Sequence, residues 1–273
     1  MSYTKSVVTE GAEIFYDVEG KGPILLTIVG FGGDADTYSD LSSILSDEYT
    51  VVRYDRRCNS RSTGDFNADL DVSQEARDAL AIVRAMKIEK VLLFANSGGA
   101  AIGLKLIEDY PEVIAGEFLH EPAIMKVLPD AEKWDEYVDF VYNTYKEKGP
   151  FAAMKEFSNS LVGFNPAGSE NDVIDDKDGM IANSLEYFFA HEYPHISSET
   201  PDLEKIKKDN LPLVFMAGAD SKDAYYARTA RVLAEKLDKP YVTVPGNHVS
   251  FTTKKKYEMV EALRDVLNNT ILK

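Results

Sequence analysis

The feature that most constrains this chain is a repeated change of hydrophobic period. Short β-forming runs recur at Glu13 to Asp17, Ile24 to Val29, Thr50 to Tyr54, Val91 to Ala95, Ala115 to His120, Leu213 to Ala217 and Tyr241 to Val244, with helical patterns between them. Several of these runs are apolar almost throughout, as a strand covered on both faces requires. The clearest helical stretch is Asp71 to Met86, where Asp71 and Gln74 have capping-box spacing and Ala76, Ala79, Leu80 and Val83 form one apolar face. Such alternation implies right-handed βαβ units, hence an α/β protein with an open, mostly parallel, doubly wound sheet. The Glu13 to Asp17 run fits an antiparallel hairpin at its edge. A length of 273 residues suits one large α/β domain or two small ones.

The alternation stops between about Met125 and Asn210. Trp134, Tyr137, Val138 and Val141 there follow i, i+3, i+4, i+7, the stripe of a helix. Pro150, Gly163, Pro166 and Gly168 punctuate the segment, and Glu170 to Asp178 is an acidic loop. The stretch reads as a helical cap, residues 125–210, inserted between two strands of a core formed by residues 1–124 and 211–273. With 30 Lys+Arg against 46 Asp+Glu, the net charge of −16 argues against nucleic acid or an anionic membrane as partner. A single Cys excludes an internal disulfide framework and a Cys-rich metal site. The first residues lack the apolar region of a signal peptide and no run of about 18 apolar residues occurs, so the expectation is a soluble, cytoplasmic protein.

One stretch carries chemistry. In Val91-Leu-Leu-Phe-Ala95-Asn96-Ser97-Gly98-Gly99, a β-run ends, a helix begins after Gly98, and Ser97 sits in the turn between them. A serine on so sharp a strand-to-helix turn is held in strained geometry, and only small residues two positions to either side, here Ala95 and Gly99, avoid clashing across it. The turn lifts the hydroxyl above the strand's carboxyl end, where the helix N-terminus offers unpaired N–H groups to a developing negative charge. The bland alternative is a Gly-rich turn whose serine only caps the helix.

Two further strand ends shift the balance. His248 follows Tyr241 to Val244 on a Pro-Gly loop, and Asp220 follows Leu213 to Ala217 after a small-residue turn. Both positions are at the carboxyl edge of the sheet, where open α/β sheets place their chemistry. Of the other histidines, His120, His191 and His195 lack that strand-then-loop context, and His191 and His195 suit packing or surface roles. Ser97, Asp220 and His248 follow the nucleophile, acid, base order of one hydrolase fold.

On these residues the chain resembles the α/β-hydrolase fold superfamily over nearly its whole length. Ile28-Val29-Gly30-Phe31-Gly32-Gly33 is similar to the family's oxyanion loop, with Val29 where His is common. Tyr54-Asp55-Arg56-Arg57-Cys58-Asn59-Ser60-Arg61-Ser62 is similar to its Asp-x-Arg-Gly-x-Gly-x-Ser loop, with Cys58 and Ser60 replacing glycines. The resemblance implies a serine hydrolase that cleaves an ester-like bond of a small apolar acyl substrate through an acyl-serine. Ser97 would be the nucleophile, His248 the base, Asp220 the acid, and the N–H groups of Phe31 and Gly98 the oxyanion donors, with neither metal nor organic cofactor. Glu121, after the strand preceding the cap, and Asp223 stand as rival acids, and Glu121 could instead line the pocket. Trp134, Tyr137, Phe140, Tyr142, Phe188 and Phe189 either line an acyl pocket or pack the cap onto the sheet. The expected partner is a small molecule. A cofactor-free lyase or oxidative enzyme and a non-catalytic receptor remain as competing readings.

Overall fold

The computed structural model describes residues 2–30, 32–162 and 180–270. The acidic loop Glu170 to Asp178 and the oxyanion candidate Phe31 lie outside them. Eight strands form one sheet: β1 (Ser2–Thr9), β2 (Ala12–Gly20), β3 (Ile24–Ile28), β4 (Thr50–Tyr54), β5 (Val91–Asn96), β6 (Ile114–His120), β7 (Leu213–Gly218) and β8 (Tyr241–Val244). Their order is β1-β2-β4-β3-β5-β6-β7-β8. β1 and β2 pair antiparallel, as do β2 and β4, and every pair from β4 to β8 is parallel. The edge hairpin therefore pairs β2 with β1, a strand that the pattern of the chain does not announce. β1 is largely exposed on both faces, so no apolar alternation marks it, whereas β2 buries Ala12, Ile14, Tyr16 and Val18 in alternation.

The helices are α1 (Ser39–Leu45), α2 (Val72–Ala85), α3 (Gly99–Asp109), α4 (Ala131–Lys148), α5 (Pro150–Ser158), α6 (Met180–Tyr187), α7 (Tyr193–Ser197), α8 (Leu203–Asp209), α9 (Tyr225–Leu237) and α10 (Lys256–Thr270). A π-helical turn, Phe188–Glu192, joins α6 to α7. Side-chain alternation splits the core in two. Val91, Leu93 and Ala95 of β5 join the cluster under α2, α3 and α9, while Leu92 and Phe94 join the one that holds Leu41, Leu45, Leu263 and Leu267 from α1 and α10. This two-sided burial is the reason the central strands read as continuous apolar runs. No strand occurs among the described residues between β6 and β7, and Phe188, Phe189 and Tyr193 pack into the same cluster as α2 and α3. No helix among the described residues is long and apolar enough to cross a membrane.

α2 begins at Asp71, whose carboxylate accepts from the Ser73 N–H. Its expected reciprocal partner does not close the box: the Gln74 amide instead donates to Asp78 and accepts from Arg77. Ala76, Ala79, Leu80 and Val83 are all buried.

One core residue is out of character. Glu117 on β6 is fully buried, and neither carboxyl oxygen has a hydrogen-bond partner among the described residues. Room for it exists because α3 carries Gly103 opposite, where a Cβ would sit 2.0 Å from Glu117 Oε1. Burial pushes its carboxyl well above the usual value of 4.5, so the native protein holds it protonated where the unfolded chain ionises it. Its contribution to stability is fully present below the unfolded value and is lost as pH rises towards the folded one. Glu117→Gln keeps the shape without the proton, so the stability of the variant relative to the parent should rise between pH 5 and pH 8, by up to about 1.4 kcal/mol per pH unit. Parallel urea-denaturation stabilities for the two proteins across that range would contradict the assignment.

Candidate active site

Ser97 follows the last residue of β5 and precedes α3 by one residue. Its φ is +57°, a left-handed conformation that costs a non-glycine residue about 1–3 kcal/mol unless its surroundings enforce it. They do so with hydrogen bonds. The Ser97 N–H donates to the His120 carbonyl at 3.1 Å, and the Ser97 carbonyl accepts from the N–H groups of Ala100 and Ala123, each at 3.1 Å. The close approach of β3 sets the composition of the turn. A Cβ on Gly99 would lie 2.4 Å from the Ile28 carbonyl oxygen, and one on Gly30 would lie 2.8 Å from Ser97 Cβ. Among the described residues the Gly98 N–H has no acceptor.

His248 lies beyond β8, almost buried, with the Tyr226 ring against it at 4.2 Å between centroids. The carboxylate that meets it is Glu121. Glu121 Oε2 accepts from His248 Nδ1 at 2.8 Å, and Oε1 accepts from the Gly218 N–H at 2.7 Å. Because the carboxylate accepts, the ring proton belongs on Nδ1, and Nε2 keeps a lone pair able to take a proton. Burial opposes ionisation of Glu121, but nearby His120 and the His248 hydrogen bond more than offset it and hold the carboxyl below the usual range.

Asp220, the first-choice acid in the sequence reading, is not at the ring. Its side chain is half exposed and bonds Lys255 Nζ at 2.5 Å. β7 ends at Gly218 and the short 3₁₀ turn Ala219–Ser221 carries Asp220 outward, whereas Glu121 follows β6 directly with φ +49°. From there it reaches across the end of the neighbouring strand to Gly218 and the ring. Asp223 is also at the surface, paired with Arg231 at 2.8 Å. His191 and His195 both face Asp69, at 3.0 and 3.4 Å, at the surface.

Several residues of the site carry no motif that isolates them. Asn96 Nδ2 donates to the His120 carbonyl at 3.2 Å and lies 2.9 Å from His120 Nδ1. The carbonyl can only accept, so the amide nitrogen is fixed on that side and His120 Nδ1 is an acceptor. Burial brings the His120 pKa down to about 4, leaving the ring neutral at neutral pH. On the other flank Arg56 is buried with two glutamates, Glu192 at 2.9 Å and Glu75 at 3.4 Å, and donates to the Gly30 carbonyl at 2.9 Å. Asn59 Nδ2 holds the other oxygen of Glu192 at 2.9 Å. Burial pushes Glu75 up to about 8, and Glu192 makes the shorter contact with Arg56. Glu192 belongs to the π-helical turn, so this pair ties the inserted helices to the loop beside Ser97. The glycine replacements in the neighbouring loop leave its backbone left-handed, with φ +60° at Cys58 and +47° at Ser60. Burial pushes the Cys58 thiol up, which leaves it a poor nucleophile.

Ser97 and His248 open on one cavity of about 280 Å³, walled mainly by apolar side chains that include Val29, Phe157, Leu161 and Phe251. Of the six aromatic residues singled out in the inserted segment, only Phe188 lines a cavity at Ser97, and Phe140 is exposed. The others pack: Trp134 meets Tyr225 and Tyr145 meets Phe189. Phe157, on the short helix α5, supplies the wall instead.

The chain as a whole has known counterparts. Residues 25–256 match the model of the alpha/beta hydrolase family. The chain is 30% identical over 264 residues to the uncharacterized hydrolase YraK of Bacillus subtilis (strain 168), covering 94% of this chain and 93% of that protein. Among solved structures it is similar to a thermophilic esterase from Thermogutta terrifontis, with a TM-score of 0.75 at 18% identity and 99% of each chain covered. The enol-lactonase from Burkholderia xenovorans LB400 gives 0.74 at 17% identity, with 97% of this chain and 100% of that one covered. The fold, the strand order and these relatives agree that the chain belongs to the alpha/beta hydrolase family and is a hydrolase.

Proposed function

We propose that the protein is a serine hydrolase that cleaves an ester-like bond through an acyl-serine, with Ser97, His248 and Glu121 as its catalytic triad. The observation that carries this reading is the 2.8 Å bond between Glu121 and His248 Nδ1 at a cavity shared with Ser97. Ser97 Oγ attacks the carbonyl carbon while its proton passes to His248 Nε2. The carbonyl π electrons move onto oxygen, and the Gly98 N–H donates to that oxyanion, with the Phe31 N–H as the second donor that the family resemblance supplies. Collapse breaks the bond to the leaving group, which departs with the proton from Nε2. Water then attacks the acyl carbon, His248 takes its proton, and the acid leaves as Ser97 recovers its hydrogen. Glu121 keeps the proton on Nδ1 and offsets the imidazolium charge during both halves. The likeness to an esterase and to an enol-lactonase supports an acyl-oxygen bond as the target.

Fluorophosphonate should label Ser97 in the parent protein and leave Ser97→Ala unmodified. That variant should lose at least about 10³-fold in kcat on p-nitrophenyl acetate with its melting curve unchanged. Ligand-induced thermal shifts without any turnover or labelling would instead favour a receptor, and turnover retained in Ser97→Ala would favour a base-only mechanism at His248.

The two carboxylates should separate cleanly. Glu121→Gln removes the negative partner of the imidazolium and should lower kcat by about 10⁴-fold. Asp220→Asn removes only a surface ion pair and should stay within about threefold of the parent protein. The opposite ranking, with both variants folded, would return the acid to Asp220.

A further inference from the structure

Two cavities meet at Ser97, and they differ in size and in which catalytic group lines them. The larger, about 280 Å³, is lined by His248, Val249 and Thr252. The smaller, about 30 Å³, is lined by Gly98, Met125, Phe188, Tyr193, Ile196 and Tyr225. Ser97 and Phe157 border both, but His248 lines only the larger and Gly98 only the smaller.

Resting on the serine-hydrolase reading, this asymmetry orients the substrate. The leaving oxygen takes its proton from His248, so the leaving group occupies the side that His248 lines. The acyl carbon is bonded to Ser97 Oγ with its oxygen towards Gly98, so its substituent takes the remaining space on the Gly98 side. At about 30 Å³ this space is about a tenth of the larger cavity and little above the roughly 10–15 Å³ that a single water needs. Its walls have little room to retreat. Met125, Phe188, Tyr193 and Tyr225 are buried, Phe188 packs on Tyr193 at 5.7 Å, and Tyr225 packs on Trp134 at 4.6 Å between centroids. Ile196 closes the space over the turn, its Cδ1 lying 2.6 Å from where a Cβ on Gly98 would be. Arg56 and Glu192, paired at 2.9 Å, line the same space and anchor the π-helical turn that carries Phe188 and leads into Tyr193 and Ile196.

We infer that the protein is a short-chain deacylase, which removes acetyl or propionyl groups from a bulky, largely apolar alcohol and selects on the acyl rather than the alcohol side. The test is kcat/KM on p-nitrophenyl acetate, propionate, butyrate, hexanoate and octanoate. Activity should fall at least about 100-fold between propionate and hexanoate, since a full pocket rejects added methylenes by about tenfold or more. Ile196→Ala should reduce that ratio at least about tenfold, and the milder Ile196→Val should move it in the same direction. Leu161→Ala, in the larger cavity, should leave the ratio where it was. A flat or rising chain-length profile in a protein that fluorophosphonate labels at Ser97 would overturn this inference while the serine mechanism stands. An unchanged ratio in both folded Ile196 variants would do the same. Absence of labelling and of ester turnover would remove the serine mechanism and this inference with it.

Discussion

Three chain segments meet at the carboxyl edge of the sheet closely enough that backbone touches backbone, and the site depends on that crowding. The end of β3 and the segment after β6 both lie against the turn at Ser97. Side chains at Gly30 or Gly99 would drive these segments apart. With them absent, β3 packs close against the turn, while hydrogen bonds with His120 and Ala123 hold Ser97 left-handed, and the residue borders the cavity. The strain is local, and the tertiary contacts that sustain it are long-range.

The same edge selects the histidine's partner. Glu121 is left-handed too, and its carboxylate bridges the Gly218 N–H and the His248 ring, coupling the ends of β6, β7 and the loop after β8. Two hydrogen bonds hold one buried charge in place, which is the condition under which burial of a carboxylate is tolerated. His120, although adjacent in sequence, is kept neutral and is occupied with Asn96, so it does not compete for the carboxylate at neutral pH.

The helical insert is not merely laid over the sheet. Its aromatic residues share a core with α2 and α3, and Glu192 reaches Arg56 and Asn59 beneath it. Removing one member of such a buried pair leaves an uncompensated charge, so the pair fixes the insert's position whether or not it adds net stability. Through the Arg56 bond to the Gly30 carbonyl, that position is linked to the loop facing Ser97.

The sequence by itself determined the parallel α/β sheet, the helical insert and the turn at Ser97, because those are written in local periodicity and in residue size two positions from a strained serine. It also placed His248 correctly on the loop after β8. It left β1 without a signal, since a strand exposed on both faces has no alternation to read. Only the tertiary structure separates Asp220 from Glu121, which follow adjacent strands, by bringing Glu121 and not Asp220 to the His248 ring. Their order along the chain favours Asp220, but a carboxylate's reach depends on where its turn aims it. The turn after β7 aims Asp220 at Lys255, and the left-handed residue after β6 aims Glu121 at His248. That direction comes from strand adjacency across the sheet, which no local pattern in the chain encodes.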